Sequence, residues 1–283
     1  EGTIDTAGIR TTSEYGVTTI TNSGDITITD LNPDGGFLGN LNGGDYLKGI
    51  DAFNNMGDVI VNNSGNIVLE GGKWDFGIIA QTGTTIGVKN TYIEGYGYYD
   101  LPYFFGGGDV SVVNSGNITI TTDLTHPLGW LNYRASIGIA ATTDLCGSPY
   151  PWLDASVCGG DISVLNSGEL NITNTGSGGA VGIAAYTGFN SDGNVYVGNS
   201  GEMNILGTEF ATGIAVVTDT GDVYIKNSAD ITTTTNTAGR EGRATGIRIV
   251  SNNASNITVL NSGEIVSNGD IAASGINANS RGG

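Results

Sequence analysis

The chain consists of short segments in which apolar and polar residues alternate. Residues 58–61 read Asp-Val-Ile-Val and residues 109–112 read Asp-Val-Ser-Val, so a valine recurs at every second position. Alternation with period two is typical of β-strands that have one buried face. Gly and Asn, which favour tight turns, bound the segments, and good helix formers never run long enough to build several helical turns. The pattern predicts many short strands and very little helix.

Two motifs alternate along the whole chain. The first reads Asn-Ser-Gly-x-aliphatic, with Ala in place of Gly once, and its asparagines are Asn22, Asn63, Asn114, Asn166, Asn199, Asn227 and Asn261. The second is a Gly-Ile pair that begins at Gly8, Gly49, Gly77, Gly138, Gly182, Gly213, Gly246 and Gly275. Successive Asn-Ser motifs are 41, 51, 52, 33, 28 and 34 residues apart. A fixed unit interrupted by inserts of variable length is typical of a solenoid.

Each repeat contains three alternating segments of four to five residues, which begin at Gly-Ile, after an Asp or Asn, and after Asn-Ser-Gly. Three strands joined by tight turns form one coil, and stacked coils pair equivalent strands in parallel. Parallel crossovers are right-handed almost without exception. We therefore expect an all-β fold, a right-handed parallel β-helix with three sheets and about 7–8 coils, as a single domain over 1–283. Loop inserts are expected at 31–48, 84–107, 123–135 and 143–159.

The Asn-Ser-Gly-x-Ile repeats, each followed by a Gly-Ile strand, resemble the passenger repeats of bacterial autotransporters and related large β-helical adhesins. The resemblance covers nearly the whole chain outside the inserts. It implies the β-helical architecture and a secreted protein at the cell surface. It does not select one activity, because that family includes adhesins, proteases, esterases and self-associating proteins.

The repeated asparagine lies in the same phase as the apolar residues before it. In residues 58–63, alternation places Val59 and Val61 inward, and Asn63 follows in the same phase. We therefore expect a structural ladder of inward asparagines along one corner, where stacked amides hydrogen-bond along the axis and satisfy backbone groups. The Gly that follows is expected to supply a positive φ for the bend. An Asn-lined ligand channel is the weaker alternative, since a solenoid core is packed solid.

The net charge is −18, from 28 acidic and 10 basic residues, which disfavours nucleic acid as a partner. No apolar run approaches 18 residues, so no membrane insertion is expected. Four carboxylates share one corner of the repeat: Asp58, Asp109, Asp161 and Asp222. Like charges one coil apart repel, so a structural calcium ion between coils is one interpretation. The favoured interpretation is that these residues cap turns and keep the rod soluble, with no cofactor.

Adjacent-coil carboxylates such as Asp109 and Asp161 are compatible with the paired-carboxylate chemistry of polysaccharide hydrolases or lyases. These residues belong to the repeat register, however, as turn residues should, whereas a catalytic set is expected to break it. The single histidine, His126, disfavours His-based triads and multi-His metal sites. We expect no enzymatic activity.

The inserts hold a cluster of aromatic residues: Tyr92, Tyr96, Tyr98, Tyr99, Tyr103, Phe104, Phe105, Trp130, Tyr150 and Trp152. Aromatic rings on loops of a solenoid stack on sugars or anchor a protein partner, and the alternative is that they pack locally against the rod. The only two cysteines, Cys146 and Cys158, lie in one insert. We expect a disulfide between them, which indicates an oxidising, extracellular setting.

The sequence begins and stops within a repeat, which indicates either a piece of a longer repeat protein or subunits that stack end to end and complete each other's sheets. The favoured hypothesis is a secreted structural protein that stacks head to tail with copies of itself into an extracellular filament or surface appendage. The alternative is an adhesin passenger domain that binds carbohydrate or a host surface through its aromatic inserts. A polysaccharide lyase or hydrolase is the third and weakest hypothesis.

Overall fold

The computed structural model describes residues 5–30, 46–72, 75–83, 85–93, 97–105, 108–122, 135–143, 159–176, 178–188, 191–236, 242–253 and 256–280. These residues form 24 strands: β1 Asp5–Ser13, β2 Thr18–Asn22, β3 Ile26–Thr29, β4 Tyr46–Asn54, β5 Val59–Asn63, β6 Ile67–Glu70, β7 Phe76–Thr82, β8 Thr85–Ile93, β9 Gly97–Phe105, β10 Val110–Asn114, β11 Ile118–Thr122, β12 Ala135–Thr143, β13 Ile162–Asn166, β14 Leu170–Asn174, β15 Gly179–Thr187, β16 Val195–Asn199, β17 Met203–Gly207, β18 Phe210–Thr218, β19 Val223–Asn227, β20 Ile231–Thr235, β21 Arg243–Ser251, β22 Ile257–Asn261, β23 Ile265–Asn268 and β24 Ala272–Ser280.

Three parallel sheets wrap around one core and form a right-handed parallel β-helix, as predicted. Sheet 1 has the order β1-β4-β7-β12-β15-β18-β21-β24, sheet 2 has β2-β5-β10-β13-β16-β19-β22, and sheet 3 has β3-β6-β11-β14-β17-β20-β23. Within the described residues, seven coils therefore contribute a strand to every sheet, and β24 adds an eighth strand to sheet 1 alone. Sheet 1 therefore has one strand more than each of the other two sheets.

The repeat motifs set the register of all three sheets. Ile139 pairs with Ile78 on one side and with Ile183 on the other, so the Gly-Ile pairs align across sheet 1. Asn114 pairs in the same way with Asn63 and Asn166 at the end of sheet 2. Because the side-chain period of a strand is two, this register places residues at equivalent positions of successive repeats on the same face.

The inward columns form a continuous apolar core. Ile50, Ile78, Ile139 and Ile183 of sheet 1 are fully buried, and they lie opposite equally buried isoleucines such as Ile118. Burial of each such side chain contributes about 1.5–3 kcal/mol relative to exposure. Each coil covers the core residues of its neighbours, so the interior coils are the most completely buried.

Sheet 1 differs from the expectation of short strands, because most of its members have nine residues rather than four or five. Pairing continues on both sides of the Gly-Ile pair, for example from Ala135 with Gly179 to Thr143 with Thr187. The glycine allows close packing at this point, since a Cβ atom at Gly77 would lie 2.6 Å from the carbonyl oxygen of Gly138 and 2.5 Å from Ile118 Cγ2.

The glycine of the Asn-Ser-Gly motif does not have the predicted positive φ. The described glycines with positive φ are Gly16, Gly71, Gly159 and Gly178, none of which belongs to that motif. At Gly65 glycine is needed for another reason: a Cβ atom there would overlap the carbonyl oxygen of Gly24 in the preceding coil. Close stacking of the corners, rather than left-handed backbone geometry, selects glycine here.

The predicted insert at 84–107 contains an antiparallel hairpin of β8 and β9, in which Thr85 pairs with Phe105 and Ile93 with Gly97. The hairpin is separate from the three sheets of the solenoid. Residues 31–45, 123–134 and 144–158 of the other predicted inserts lie outside the described residues.

Candidate functional site

The inward asparagines form a hydrogen-bonded ladder along the corner between sheets 2 and 3. The side-chain Nδ2 of Asn63 donates to Asn114 Oδ1 at 2.8 Å and to the Gly65 carbonyl oxygen at 2.7 Å. The same pair of bonds recurs from Asn22 to Asn227, with amide-to-amide distances of 2.7–2.9 Å. Five of these asparagines are buried: Asn63, Asn114, Asn166, Asn199 and Asn227. The two bonds therefore satisfy the buried side-chain amide and a carbonyl oxygen of the turn.

The ladder has a direction. Each asparagine donates to the next coil toward the C terminus and accepts from the coil before it. Within the described residues, Asn22 Oδ1 accepts no such bond, and Asn261 donates to the Gly263 carbonyl oxygen but to no further asparagine. The edge of the first coil therefore offers an amide acceptor, and the edge of the last complete coil offers an amide donor.

The acidic residues of the corner between sheets 1 and 2 also bond between coils. Asp58 Oδ1 accepts the backbone N–H of Asp109 at 2.9 Å, and Asp109 Oδ1 accepts that of Asp161 at 2.9 Å. Asp161, Asn194 and Asp222 continue the line with distances of 2.7, 3.0 and 2.9 Å. The backbone N–H of Asn256, followed by its side-chain amide, lowers the pKa of Asp222. One oxygen of each side chain in this line caps a backbone N–H of the next coil.

A metal ion requires several ligands in one place, and the described residues contain no group of three or more His, Cys, Asp or Glu side chains arranged to hold one. The carboxylates of Asp58, Asp109, Asp161 and Asp222 lie in a single line. Calcium binding at this line stays a prediction.

The two end coils expose residues that are buried elsewhere in the solenoid. Ile276 in β24 is 47% exposed, whereas Ile247, its partner in β21, is fully buried. At the opposite end, Ile9 and Ile26 are half-buried, while their partners Ile50 and Ile67 are fully buried. Among the described residues, no coil stacks on the outer side of either end. These side chains point toward the core but are exposed along the axis, together with the strand edges.

The two edges of sheet 1 match in length and register. β1 and β24 each have nine residues, and the Gly-Ile pairs at Gly8 and Gly275 occupy the same column. If β24 of one copy pairs with β1 of another, however, sheets 2 and 3 are separated at the junction by two strand spacings of ~4.8 Å each. The described strands therefore do not continue in all three sheets at once.

A second surface lies on the outer face of sheet 2. Tyr196 and Tyr224 stack with ring centroids 5.4 Å apart and planes 7° apart. Beside them, Gly198 pairs with Leu165 and Lys226, and it opens a shallow groove of about 230 Å³ between them. Sequence reasoning missed this surface, although the alternating Val-Tyr-Val and Val-Tyr-Ile segments place both tyrosines outward at one repeat position.

The predicted aromatic and cysteine sites are described only in part. Tyr92, Tyr98, Tyr99, Tyr103, Phe104 and Phe105 belong to the hairpin, whose backbone alone is described. Tyr96, Trp130, Tyr150, Trp152, Cys146 and Cys158 lie outside the described residues. Ligand binding by the inserts and the disulfide therefore stay predictions.

No protein-family model, curated protein or solved structure matches the chain. Over the described part of the chain, the structure has no helix whose length and apolar character would let it cross a membrane.

Proposed function

We propose that the protein is a secreted structural β-solenoid that stacks end to end with copies of itself into an extracellular filament or surface appendage. The observation that supports it is the match between the open edges of β1 and β24. Pairing the two strands joins Ile276 to the column of Ile9 and covers both with a neighbouring strand. Removal of this apolar surface from water and pairing of unsatisfied strand edges are the driving forces.

The junction joins sheet 1 alone, which limits its strength. In sheets 2 and 3, the last strand of one copy and the first strand of the next are separated by a gap one strand wide. Both copies also carry a net charge of −18. Charge repulsion between the copies is screened by salt. Assembly is therefore favoured at high protein concentration and raised ionic strength, and it proceeds with a single polarity because β1 and β24 belong to opposite ends.

Ile276→Lys tests this junction, because it places a charge on the core-facing side of β24, where the next copy would bury it. Sedimentation velocity at raised salt should show large assemblies for the unmodified chain and loss of them for Ile276→Lys. Asn279→Lys is the matched control, since Asn279 is an exposed residue of the same strand and its partners, Val250 and at the junction Thr12, carry no charge. Equal assembly by both variants would contradict the proposal.

A second candidate function is that of an adhesin passenger domain, in line with the resemblance of the repeats to bacterial autotransporters. The groove beside Tyr196 and Tyr224 favours it, because stacked rings, the aliphatic side chain of Leu165 and the ammonium of Lys226 are groups that bind saccharides. Binding on a glycan array should fall with Tyr196→Ala if this surface contributes, and with Tyr98→Ala, Tyr99→Ala and Trp152→Ala if the inserts do.

The proposed extracellular location predicts a disulfide between Cys146 and Cys158, because disulfides persist in oxidising environments. Non-reducing peptide mapping tests for this bridge directly. Free thiols in protein isolated from its natural location would count against secretion.

A further inference from the structure

One buried carboxyl group breaks the repeat pattern. Asp75 lies directly before β7. At the equivalent position, the preceding coil has Leu47, the following coil has Ser136, and the later coils have alanine. The side chain is fully buried. The sequence signal is an Asp two residues before the Gly-Ile pair, where three later coils have Ala180, Ala211 and Ala244.

The surrounding residues hold this carboxyl group in place. Asp75 Oδ1 accepts the backbone N–H of Leu47 at 3.2 Å, and the backbone N–H of Gly72 is a further donor to the carboxyl group. Oδ2 accepts the hydroxyl of Thr122 at 3.3 Å, and Thr122 Oγ1 lies 2.9 Å from Ser136 Oγ. A Cβ atom at Gly72 would overlap the Asp75 carboxyl group, so glycine makes the space that the group occupies.

These contacts lie at the roots of two predicted inserts. Asp30 is the last described residue before residues 31–45, and Leu47 lies just after them. Thr122 is the last described residue before 123–134, and Ser136 lies just after them. The Asp75 carboxyl group thus bonds to the chain after the first segment, at Leu47, and to the chain on both sides of the second, directly at Thr122 and through Thr122 at Ser136.

Burial is the main cause that raises the pKa of Asp75 from 3.8 to about 7, and the negative charge of Asp30 adds to it, although the bonds from Leu47, Thr122 and Gly72 act against it. Among the described residues on the neighbouring strands, Lys48 points to the outer face and bonds to Asp51 at 3.0 Å, and Glu70 is exposed. Within the described part of the chain, no ammonium or guanidinium group contributes to the shift in the pKa of Asp75.

We propose that Asp75 is a proton-controlled latch that holds Leu47, Thr122 and Ser136 of three neighbouring coils together when its carboxyl group is protonated and loosens them when it ionises. The ionised form places a second negative charge near Asp30 in a buried site. The latch is independent of end-to-end stacking and of saccharide binding.

The direction of the effect follows from proton linkage. The closed corner retains a proton that the opened corner releases, because the pKa of Asp75 is about 7 when buried and near 3.8 when exposed. Stabilisation by the proton is complete below the lower value and is lost as the pH rises from 3.8 to about 7. Local opening of the corner should therefore increase roughly 50- to 100-fold between about pH 5 and pH 8.

Amide hydrogen exchange at Leu47, corrected for the intrinsic pH dependence of exchange, measures this opening in the full chain. The unmodified protein should show the increase, and Asp75→Asn should abolish it, because asparagine still accepts the Leu47 N–H and bonds to Thr122 but does not ionise. Asp161→Asn is the matched control, since Asp161 also accepts a backbone N–H but is exposed, and it should behave as the unmodified protein.

An unchanged pH dependence in Asp75→Asn, or its absence from the unmodified protein, would overturn the proposal. If Asp75→Asn does not fold, the ¹³Cγ chemical shift of Asp75 in the unmodified chain decides the question. A titration midpoint close to 7 supports the latch, and a midpoint close to the ordinary 3.8 rejects it.

Discussion

Single residues act in this molecule through what they contribute to the next coil. Asn63 accepts a bond from Asn22, donates to Asn114 and donates to its own turn carbonyl, so three bonds depend on one buried amide. Loss of a buried partner costs more than the bond itself, because the groups left behind are buried without a partner. The ladder should therefore be sensitive at every interior asparagine.

Asn63→Ala should lower the free energy of unfolding by about 2–4 kcal/mol, because it leaves the Gly65 carbonyl oxygen and two amide groups without their partner. Asn62→Ala is the matched control, since Asn62 is adjacent but points outward and is only half-buried. Urea unfolding of both variants measures the difference. Similar losses in the two variants would show that the ladder is not a main source of stability.

At the level of strands and turns, glycine sets how closely successive corners approach. The Cβ position of Gly65 overlaps the carbonyl oxygen of Gly24, whereas the Cβ position of Gly24 has only Asn22 Oδ1 nearby, at 4.0 Å. The same motif residue is thus constrained in an interior coil and free in the first coil. The difference arises from stacking and not from the turn itself.

Gly65→Ala should therefore destabilise the protein strongly, by an amount on the order of a few kcal/mol, because the backbone of two coils must separate. Gly24→Ala is expected to change stability by less than about 1 kcal/mol. Thermal unfolding followed by circular dichroism compares the two. A larger loss for Gly24→Ala would contradict the stacking explanation.

The repeat motifs predict the coil because each has a physical role that recurs unchanged. Gly-Ile marks a close approach followed by a core residue, and Asn-Ser-Gly marks a corner, so the register of Ile139 and Asn114 follows from sequence alone. The hairpin of β8 and β9 does not follow, because it pairs only with itself and has no counterpart in another repeat. The role of the motif glycines could not be predicted from the sequence either, because it depends on the distance between successive coils.

Other features depend on which groups lie together in space. Asp75 looks like an ordinary acidic residue in the sequence, and its burial between Leu47, Thr122 and Ser136 emerges only when three coils are stacked. The groove at Gly198 likewise needs the neighbours Leu165 and Lys226 from adjacent coils. Both sites are exceptions within a regular column, and alignment of the repeats is the way to find them.

At the scale of the whole molecule, most acidic residues in the described part of the chain lie between strands, while basic residues such as Arg10, Lys48 and Arg248 lie on strands of sheet 1. Asp58, Asp109, Asp161 and Asp222 form one line, and the outer face of sheet 2 has Lys226 as its one charge among the described strand residues. In the proposed assembly, negative charge at the corners disfavours sideways contact between rods. The open edges of β1 and β24 lie at the ends, so the proposed contact between copies is axial.

The axial repeat of concentrated protein at raised salt, measured by cryo-electron microscopy or fibre diffraction, tests end-to-end stacking most directly. Eight sheet-1 strands per copy at ~4.8 Å each predict filaments with a subunit repeat of about 38 Å. A population of single rods under these conditions, with no end-to-end contacts at any concentration, would contradict the proposed function.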